Sequence, residues 1–445
     1  MWPLTWPWFS SSEKDYWPGK RVSVCSDRRQ RVEGKMFGHT TRLLGCIYLI
    51  LFWIGACSTL HPRLDDQGLP QTEYIYQVPE ETGDGWEISS MIDAGIDPRK
   101  ITELMQNILT RRFANVHGVL LVRNGKLVLE EYFNGYAFDF SGPGFRGERI
   151  AYGRGKLHVT ASVTKSVTSA LVGIAIDRGF IQDVNESMAV FFPQYMNLID
   201  EKKARITLEH LLTLTSGLEW NEVELWFKDP QFDLVQLFVV TDPIEYILSK
   251  QVVREPGKHW YYSGGDVNLL GEIIRKSSGL RMDAFAARYL MTPLGITDYE
   301  WDHLNPDIIH ASGNLKLRPR DMAKFGQMFL NGGTWKNQCI ISETWTKKST
   351  APIVSIPKNS LLNLVAQEYL SWAETAGDWY GYLWWIKSYC TDSGCVDSYL
   401  ADGWGGQRII VFPSLELVVV LTGGNYATPE PVHEMVCEYI LPAVQ

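Results

Sequence analysis

A serine followed three residues later by a lysine places a hydroxyl beside an amine when the segment is helical, because such residues share one helix face. Three such pairs occur in the chain: Ser11 and Lys14, Ser162 and Lys165, and Ser355 and Lys358. Only the second pair opens a long apolar segment, SVTKSVTSALVGIAIDRG, which predicts a buried helix over residues 163–178 closed by Gly179. Pro357 interrupts the third pair. Ser162 and Lys165 are therefore the predicted nucleophile and base.

The chemistry of this pair depends on the protonation state of the lysine. A free lysine has a pKa of about 10.4, so roughly one molecule in a thousand or fewer carries a neutral amine at pH 7. Burial at the positive N-terminus of an apolar helix would lower the pKa of Lys165. The backbone N–H of Ser162 would serve there as one donor to an oxyanion. On this pair alone an alternative is equally open, with Ser162 an ordinary N-cap and Lys165 a solvated side chain.

A tyrosine is the second candidate for proton transfer. Tyr262 stands in EPGKHWYYSGGDVNLLGEIIRKSSG, just before a helix predicted over residues 265–277. A tyrosine there can hydrogen-bond the nucleophile and return its proton to the leaving group, provided that a nearby cation keeps the phenol acidic. In isolation the better interpretation of Tyr262 is an aromatic side chain packed beside Trp260 and Tyr261.

A glycine-rich segment near the C-terminus provides the third group of site candidates. The sequence ADGWGGQ, residues 401–407, opens a predicted hairpin, and glycines at a strand edge permit close approach of backbones. We expect the N–H of Trp404 to be the second oxyanion donor, with Gly403 and Asp402 beside the substrate.

The composition limits the classes of partner and cofactor. The formal net charge of −9 argues against a nucleic-acid partner, because phosphate binding needs a basic surface. Neither a C-x-x-C pair nor H-E-x-x-H is present, so no metal and no cofactor are expected. Cys390 and Cys395 could close a hairpin as a disulfide in an oxidising compartment, and free thiols are nearly as well supported.

The N-terminal segment indicates export. Residues 43–57, LLGCIYLILFWIGAC, form an apolar run too short for a comfortable membrane span. Its end, Ile54-Gly55-Ala56-Cys57, resembles the bacterial lipobox, in which the cysteine receives the lipid. We therefore expect a bacterial lipoprotein of the periplasm or outer membrane, attached through Cys57. A plain N-terminal membrane anchor is the alternative.

The chain divides into three predicted parts. Residues 1–57 are an extension with a lipoprotein-type signal, 58–90 a linker, and 91–445 a catalytic domain. Within that domain an α/β lobe would comprise about 91–160 and 335–445, and a mainly helical lobe about 161–334. Asn124-Gly125 and Pro413-Ser414 predict hairpins. Further helices are predicted at 98–113, 207–214, 283–290, 319–331 and 430–441.

Five segments in a fixed order resemble the serine β-lactamase-related hydrolases, which include class C β-lactamases, penicillin-binding peptidases, carboxylesterases and 6-aminohexanoate-dimer hydrolase. They are ASVTKSVTSALVGIAIDRG, RITLEHLLTLTSGLEWNE, YYSGGDVNLLG, PRDMAKFGQMFLNGGTW and ADGWGGQRIIVFP. The resemblance covers about residues 95–442. It implies an α/β (α+β) fold, with an antiparallel sheet flanked by helices, a mainly helical lobe and the active site between them. It also implies that Ser162, Lys165 and Tyr262 are catalytic, and that residues 401–403 replace the family's K-T-G strand.

Two departures from the family pattern bear on the substrate. The family's tyrosine motif ends in a side-chain amide, where this chain has Gly264, and its K-T-G lysine is replaced by Ala401. Both losses indicate an esterase or amidase that cleaves a small ester, amide or peptide through an acyl-enzyme on Ser162. The alternatives are a penicillin-recognising β-lactamase, a D-alanyl peptidase, or a sensor that is acylated without turnover. A Ser-His-Asp site is poorly supported, because no G-x-S-x-G occurs.

Overall fold

The computed structural model describes residues 73–222, 229, 231–357 and 378–444. Nine of the strands in these residues form one sheet, in which strands from the beginning and the end of the described chain are neighbours. Every pair in this sheet is antiparallel except Glu87–Ile88, which runs parallel to its neighbour. The strands, in spatial order, are Glu87–Ile88, Lys126–Tyr132, Val116–Arg123, Leu417–Gly423, Gln407–Phe412, Gly394–Gly403, Trp385–Thr391, Trp379–Tyr380 and Val354–Ser355.

Both predicted hairpins are confirmed. Asn124 and Gly125 have positive φ values of 52° and 75°, so the tight turn brings Arg123 opposite Lys126. The second hairpin turns through the short 3₁₀ helix Pro413–Leu415. A third hairpin joins Trp385–Thr391 to Gly394–Gly403, and a disulfide links its opposite residues Cys390 and Cys395. Of the two states expected for these cysteines, the structure has the disulfide.

The helix that follows Ser162 lies at the centre of the molecule. It spans Val163–Asp177 and is buried from Val163 to Ala175, and its second half is apolar on every face from Ala170 to Ile176. Gly173 has no side chain where the helix meets Trp345: a Cβ atom there would lie 2.5 Å from the indole ring. Arg178 and Gly179 end the helix, the glycine with φ of 73°. The prediction of a buried helix over 163–178 is confirmed.

The other predicted helical segments are helical and differ mainly at their ends, whereas the helices Asp233–Gln236, Pro243–Ser249 and Glu343–Ser349 were not predicted. The first begins after the predicted cap Asp97 and stops at Leu109, four residues before the expected end. The helices are Pro98–Leu109, Val163–Asp177, Leu208–Leu212, Asp233–Gln236, Pro243–Ser249, Gly264–Ser278, Met282–Ala286, Pro319–Leu330, Glu343–Ser349, Val432–Glu434 and Leu441–Ala443. Single π-helical turns, Ala287–Met291 and Met435–Ile440, continue two of them.

Shorter elements connect the sheet and the helices. The small sheets pair Asn134–Phe138 with Arg146–Ala151, Leu315–Leu317 with His158–Val159 and Glu300–Trp301, Thr334–Trp335 with Gln338–Cys339, and His303–Asn305 with Ile308–Ile309. The helix Pro319–Leu330 packs on the large sheet, where a Cβ atom at Gly326 would lie 2.6 Å from Ile409 and 2.7 Å from Val418. The fold is thus α+β, with an antiparallel sheet and flanking helices, as predicted.

The predicted lipid attachment lies outside the part of the chain just described. Cys57, Ser11 and Lys14 belong to residues 1–72, and Lys358 also falls outside the described ranges. Within those ranges, no helix combines the length and the apolar character needed to cross a bilayer.

Candidate active site

A strained turn presents Ser162 at the start of the central helix. Ala161, just before it, has a φ of 47°, a backbone conformation that residues other than glycine rarely adopt. Two threonines hold this turn: the Thr164 hydroxyl donates to the carbonyl of Ala161 at 2.6 Å, and the Thr160 hydroxyl donates to that of Leu315 at 2.7 Å. The Ser162 side chain makes no capping bond to the helix, so its hydroxyl remains available for other partners.

Lys165 lies beside this hydroxyl and is 3% exposed. Its Nζ donates to Ser162 Oγ at 3.0 Å and to the carbonyl of Ser312 at 2.8 Å. Burial lowers the pKa of Lys165 to about 8, while the negative charge of Glu222 acts in the opposite direction. The alternative with a solvated lysine is therefore wrong.

Tyr262 completes the group around Ser162. Its hydroxyl is hydrogen-bonded to Ser162, and the Lys165 Nζ lies 4.8 Å from the centroid of its ring. Burial, reinforced by the charge of Glu222, raises the pKa of Tyr262 well above its ordinary value. The expectation that a cation keeps this phenol acidic is wrong, because desolvation outweighs the nearby positive charges. Tyr262 remains a neutral phenol near pH 7 and can donate a proton.

Gly403, the last residue of the strand Gly394–Gly403, brings the end of that strand against the nucleophile turn. A Cβ atom at this position would lie 2.3 Å from the carbonyl oxygen of Thr160 and 3.2 Å from the backbone nitrogen of Ser162. Only glycine allows this approach. Trp404 follows, and its ring packs edge-to-face on Phe145 and Tyr426, with centroid distances of 4.8 and 5.1 Å. The structure thus places the predicted Gly403–Trp404 pair next to Ser162.

Asp402 is held in a buried cluster of charges. Its Oδ1 lies 2.9 Å from Arg408 Nη1, and Arg408 Nη2 lies 2.6 Å from Glu430 Oε2. Burial raises the pKa of Asp402 to about 7, and the Arg408 charge opposes this shift. Arg408 is fully buried and also donates to the carbonyl of Gly403 at 2.7 Å. This cluster therefore supports the strand that carries Gly403 and leaves the Asp402 carboxylate tied to Arg408.

Aromatic rings form a wall beside Tyr262. Trp385 stacks on Tyr262 at 6.2 Å between centroids, and Trp260 packs edge-to-face on Trp385 at 5.7 Å. Tyr380 contacts both tryptophans, at 5.7 and 5.0 Å. Tyr262 is thus both packed among aromatic rings and bonded to the nucleophile, so the two interpretations of this residue are compatible.

Four polar residues near Lys165 were not predicted. Ser312, whose carbonyl accepts from Lys165, has its hydroxyl hydrogen-bonded to His310 Nε2 at 2.9 Å and to Asn268 Nδ2 at 3.1 Å. Burial lowers the pKa of His310 to about 3, so the imidazole is neutral. The fourth is Glu222, whose Oε2 accepts from the indole N–H of Trp220 at 2.7 Å. The adjacent glycines Gly264-Gly265 were the available sequence signal for Glu222, because glycine allows another segment to approach the backbone closely.

Of the other two serine and lysine pairs, only Ser355 belongs to the described residues. Ser355 is exposed and lies in the two-residue strand Val354–Ser355, which agrees with the prediction that Pro357 prevents a helix there. In residues 73–222, 229, 231–357 and 378–444, no group of three or more His, Cys, Asp or Glu side chains is arranged to hold a metal ion.

The sequence is similar to parts of several characterised proteins. The chain is 26% identical over 151 residues to a monacolin J acid methylbutanoyltransferase from Aspergillus terreus, covering 31% of this chain and 36% of that one. It is 23% identical to a 6-aminohexanoate-dimer hydrolase from Paenarthrobacter ureafaciens, covering 52% and 56%. The chain thus spans between about a third and just over half of these relatives.

The structural similarity extends further along the chain. A family VIII carboxylesterase superposes with a TM-score of 0.58 at 16% identity, covering 78% of this chain and 99% of the other. At this identity the match concerns the fold. The β-lactamase family model matches residues 101–432, about three quarters of the sequence and all of the site described above. The chain belongs to the β-lactamase family.

Proposed function

We propose that this protein is a serine hydrolase that cleaves small uncharged esters or amides through an acyl-enzyme on Ser162. The observation that carries the proposal is the contact between Lys165 Nζ and Ser162 Oγ at 3.0 Å, made by an amine whose pKa burial lowers to about 8. At neutral pH a useful fraction of this amine is unprotonated, so it can accept the serine proton. The two relatives described above, a methylbutanoyltransferase and a hydrolase by name, support acyl chemistry.

The first half of the reaction forms the acyl-enzyme. Ser162 Oγ adds to the substrate carbonyl carbon while its proton moves to Lys165 Nζ, which becomes an ammonium. The negative charge that develops on the carbonyl oxygen is stabilised by the backbone N–H groups of Ser162 and Trp404. The bond to the leaving group then breaks, and Tyr262 donates a proton to the departing oxygen or nitrogen. The Lys165 ammonium returns a proton to Tyr262, which leaves both groups in their starting states.

The second half releases the acid. A water molecule adds to the acyl carbonyl as its proton passes to Lys165, and the same backbone donors hold the oxyanion. The bond between Ser162 Oγ and the acyl carbon breaks, and the oxygen regains a proton from Lys165. One water is consumed, one carboxylic acid is released, and the enzyme is unchanged.

The charges around the site favour a substrate without a carboxylate. Ala401 offers no cation where the family's K-T-G lysine stands, and Arg408 is fully buried and bound to Asp402 and Glu430. Arg408 therefore does not replace the lysine. Glu222 adds a negative charge near Lys165. Neither Ala401 nor Arg408 thus offers a cation to an anionic β-lactam, whereas an uncharged ester needs only the nucleophile, the oxyanion donors and the aromatic wall.

The test is a comparison of substrates on the same preparation. A charge-assisted hydrogen bond contributes about 1.5 to 3 kcal/mol, so we expect short-chain aryl esters to have kcat/KM at least about tenfold above that of a chromogenic cephalosporin. A faster cephalosporin would contradict the esterase assignment. A burst of one equivalent without further product would instead identify an acylated sensor.

A second candidate function is acyl transfer to an alcohol, favoured by the similarity to the methylbutanoyltransferase. Both reactions share the acyl-enzyme and differ in the acceptor that clears it. Adding a small alcohol to the ester assay separates them by product analysis. Free acid as the main product supports the hydrolase, and a new ester formed in preference to acid supports the transferase.

A further inference from the structure

The carboxylate of Glu222, forty residues before Tyr262 in the sequence, lies close to the site. Glu222 Oε2 accepts hydrogen bonds from the Trp220 indole at 2.7 Å and from the backbone N–H of Gly264. Burial raises the pKa of Glu222 above its ordinary value, and the charge of Asp233 adds to this shift, while the charge of Lys165 and these two donors oppose it. Glu222 is thus fixed in place by two neutral donors, and neither of them neutralises its charge.

The backbone around Glu222 is shaped to admit this carboxylate. A Cβ atom at Gly264 would lie 2.7 Å from Glu222 Oε2 and 3.0 Å from Ser312 Oγ. At Gly265 a Cβ atom would lie 2.8 Å from the Trp220 ring. Both glycines are therefore required by the segment that carries Trp220 and Glu222, and the space of the missing side chain at Gly264 is occupied by the carboxylate.

A single residue, Ser312, lies between the Glu222 carboxylate and the Lys165 amine. Ser312 joins the two: its hydroxyl faces the Cβ position of Gly264, and its carbonyl accepts from Lys165 Nζ at 2.8 Å. The amine itself is bound to Ser162 Oγ and to this neutral carbonyl. The carboxylate of Glu222 is then the negative charge that acts on Lys165 through space.

We propose that Glu222 is a positioning residue for the reaction, the counter-charge that stabilises the Lys165 ammonium formed when Ser162 loses its proton. The inference rests on the proposed function. Glu222 touches neither the nucleophile nor the leaving group in this scheme and acts through the charge on Lys165.

Other titratable groups lie near Lys165 and Glu222. His310 is neutral, with a pKa lowered to about 3, and Tyr262 is a neutral phenol whose ring lies 4.8 Å from the lysine amine. Asp266, beyond Glu222, is hydrogen-bonded to the hydroxyls of Ser216 and Ser263. Burial raises its pKa to about 7, so it titrates on the acidic side of Lys165. These groups leave Glu222 as the charge whose removal changes the lysine most directly.

The test measures the rate of fluorophosphonate labelling against pH for Glu222→Gln, which keeps the side-chain size and removes the charge. Loss of a nearby negative charge favours the neutral amine, so the acidic limb should move to lower pH by about one unit. Labelling on the alkaline plateau should become slower, because the ammonium formed in the step is less stabilised. Glu219→Gln, an exposed neighbour on the same segment, is the matched control and should leave the limb unmoved.

A second variant keeps the test decisive if Glu222→Gln does not fold. Gly264→Ala would displace the carboxylate and should shift the limb in the same direction, with no further shift when added to Glu222→Gln. A limb that stays in place in either folded variant, with a uniform loss of rate, would overturn the proposal and indicate a merely structural role. Labelling of the unmodified protein tests the proposed function separately, because a protein that is not labelled at all would contradict the assignment of Ser162 as the nucleophile.

Discussion

At the scale of single residues, the lysine amine explains how this serine can react near neutral pH. With a pKa of about 8, about a tenth of the Lys165 side chains carry a neutral amine at pH 7, about two hundredfold more than for an exposed lysine. Desolvation is the main cause, because the amine is nine-tenths or more buried with neutral partners, Ser162 and Ser312.

The pH dependence of kcat/KM follows from this value. The reaction needs neutral Lys165, so activity should be low at pH 6, rise about tenfold per pH unit and reach a plateau above an apparent pKa near 8. Tyr262 should remain protonated across this range, because its pKa is raised. Initial rates with an uncharged aryl ester between pH 6 and 9 provide the measurement. A profile that is flat from pH 6 to 9 would show that Lys165 is not the base.

The sequence predicted the positions of Ser162, Lys165 and Tyr262 well and their surroundings poorly. Ser162, Lys165 and Tyr262 stand beside helix starts with strong local signals, so each could be placed on an element before the fold was known. Glu222 lies in an irregular segment, and its approach to Gly264 depends on how two distant segments pack. His310 and Asn268 meet only through Ser312 for the same reason. Such long-range contacts have no periodic pattern in the sequence.

At the scale of elements, the central helix carries the site because tight packing fixes its position. Gly173 on this helix contacts Trp345 of the helix Glu343–Ser349, and the missing Cβ atom lets the two meet. The prediction of hairpins and long helices succeeded where glycine turns and apolar runs marked them. The two- and three-residue strands between Glu300 and Leu317 were not predicted, because elements this short show no alternation.

A substitution at the helix contact tests this packing. Gly173→Ala should destabilise the protein by about 1 to 3 kcal/mol, since the added methyl would lie 2.5 Å from the Trp345 ring and outweigh the better helix propensity of alanine. Urea unfolding measures the change, with Gly153→Ala as control because a Cβ atom there has no neighbour within 4 Å. A gain in stability in Gly173→Ala, as at an exposed helix position, would refute the packing argument.

At the scale of the whole molecule, strands from the beginning and the end of the described chain form one sheet. Leu417–Gly423 pairs with Val116–Arg123, which places the C-terminal hairpin beside the N-terminal one and Gly403 beside Ser162. The family resemblance implied this arrangement, but local sequence patterns alone did not specify strand order. We also propose export, which is supported by the Cys390–Cys395 disulfide because such bonds persist in oxidising compartments.

The lipid attachment is tested in a bacterium with two membranes. If Cys57 is the modified residue, the protein should fractionate with membranes and Cys57→Ser should release it into the soluble fraction. Cys339→Ser, at an exposed free thiol, is the matched control and should remain with the membranes. A mature N-terminus at another residue, found by mass spectrometry, would reject attachment through Cys57.

The central claim is that Ser162 is the nucleophile, and the most direct measurement is intact-mass and peptide-mass analysis after treatment with a fluorophosphonate. One added phosphonyl group, located on Ser162, is expected in the unmodified protein and in Ser355→Ala, which removes an exposed serine of the strand Val354–Ser355. In Ser162→Ala, labelling should disappear and ester turnover should fall by about 10³-fold or more. Retention of the label or of turnover in folded Ser162→Ala would contradict the account.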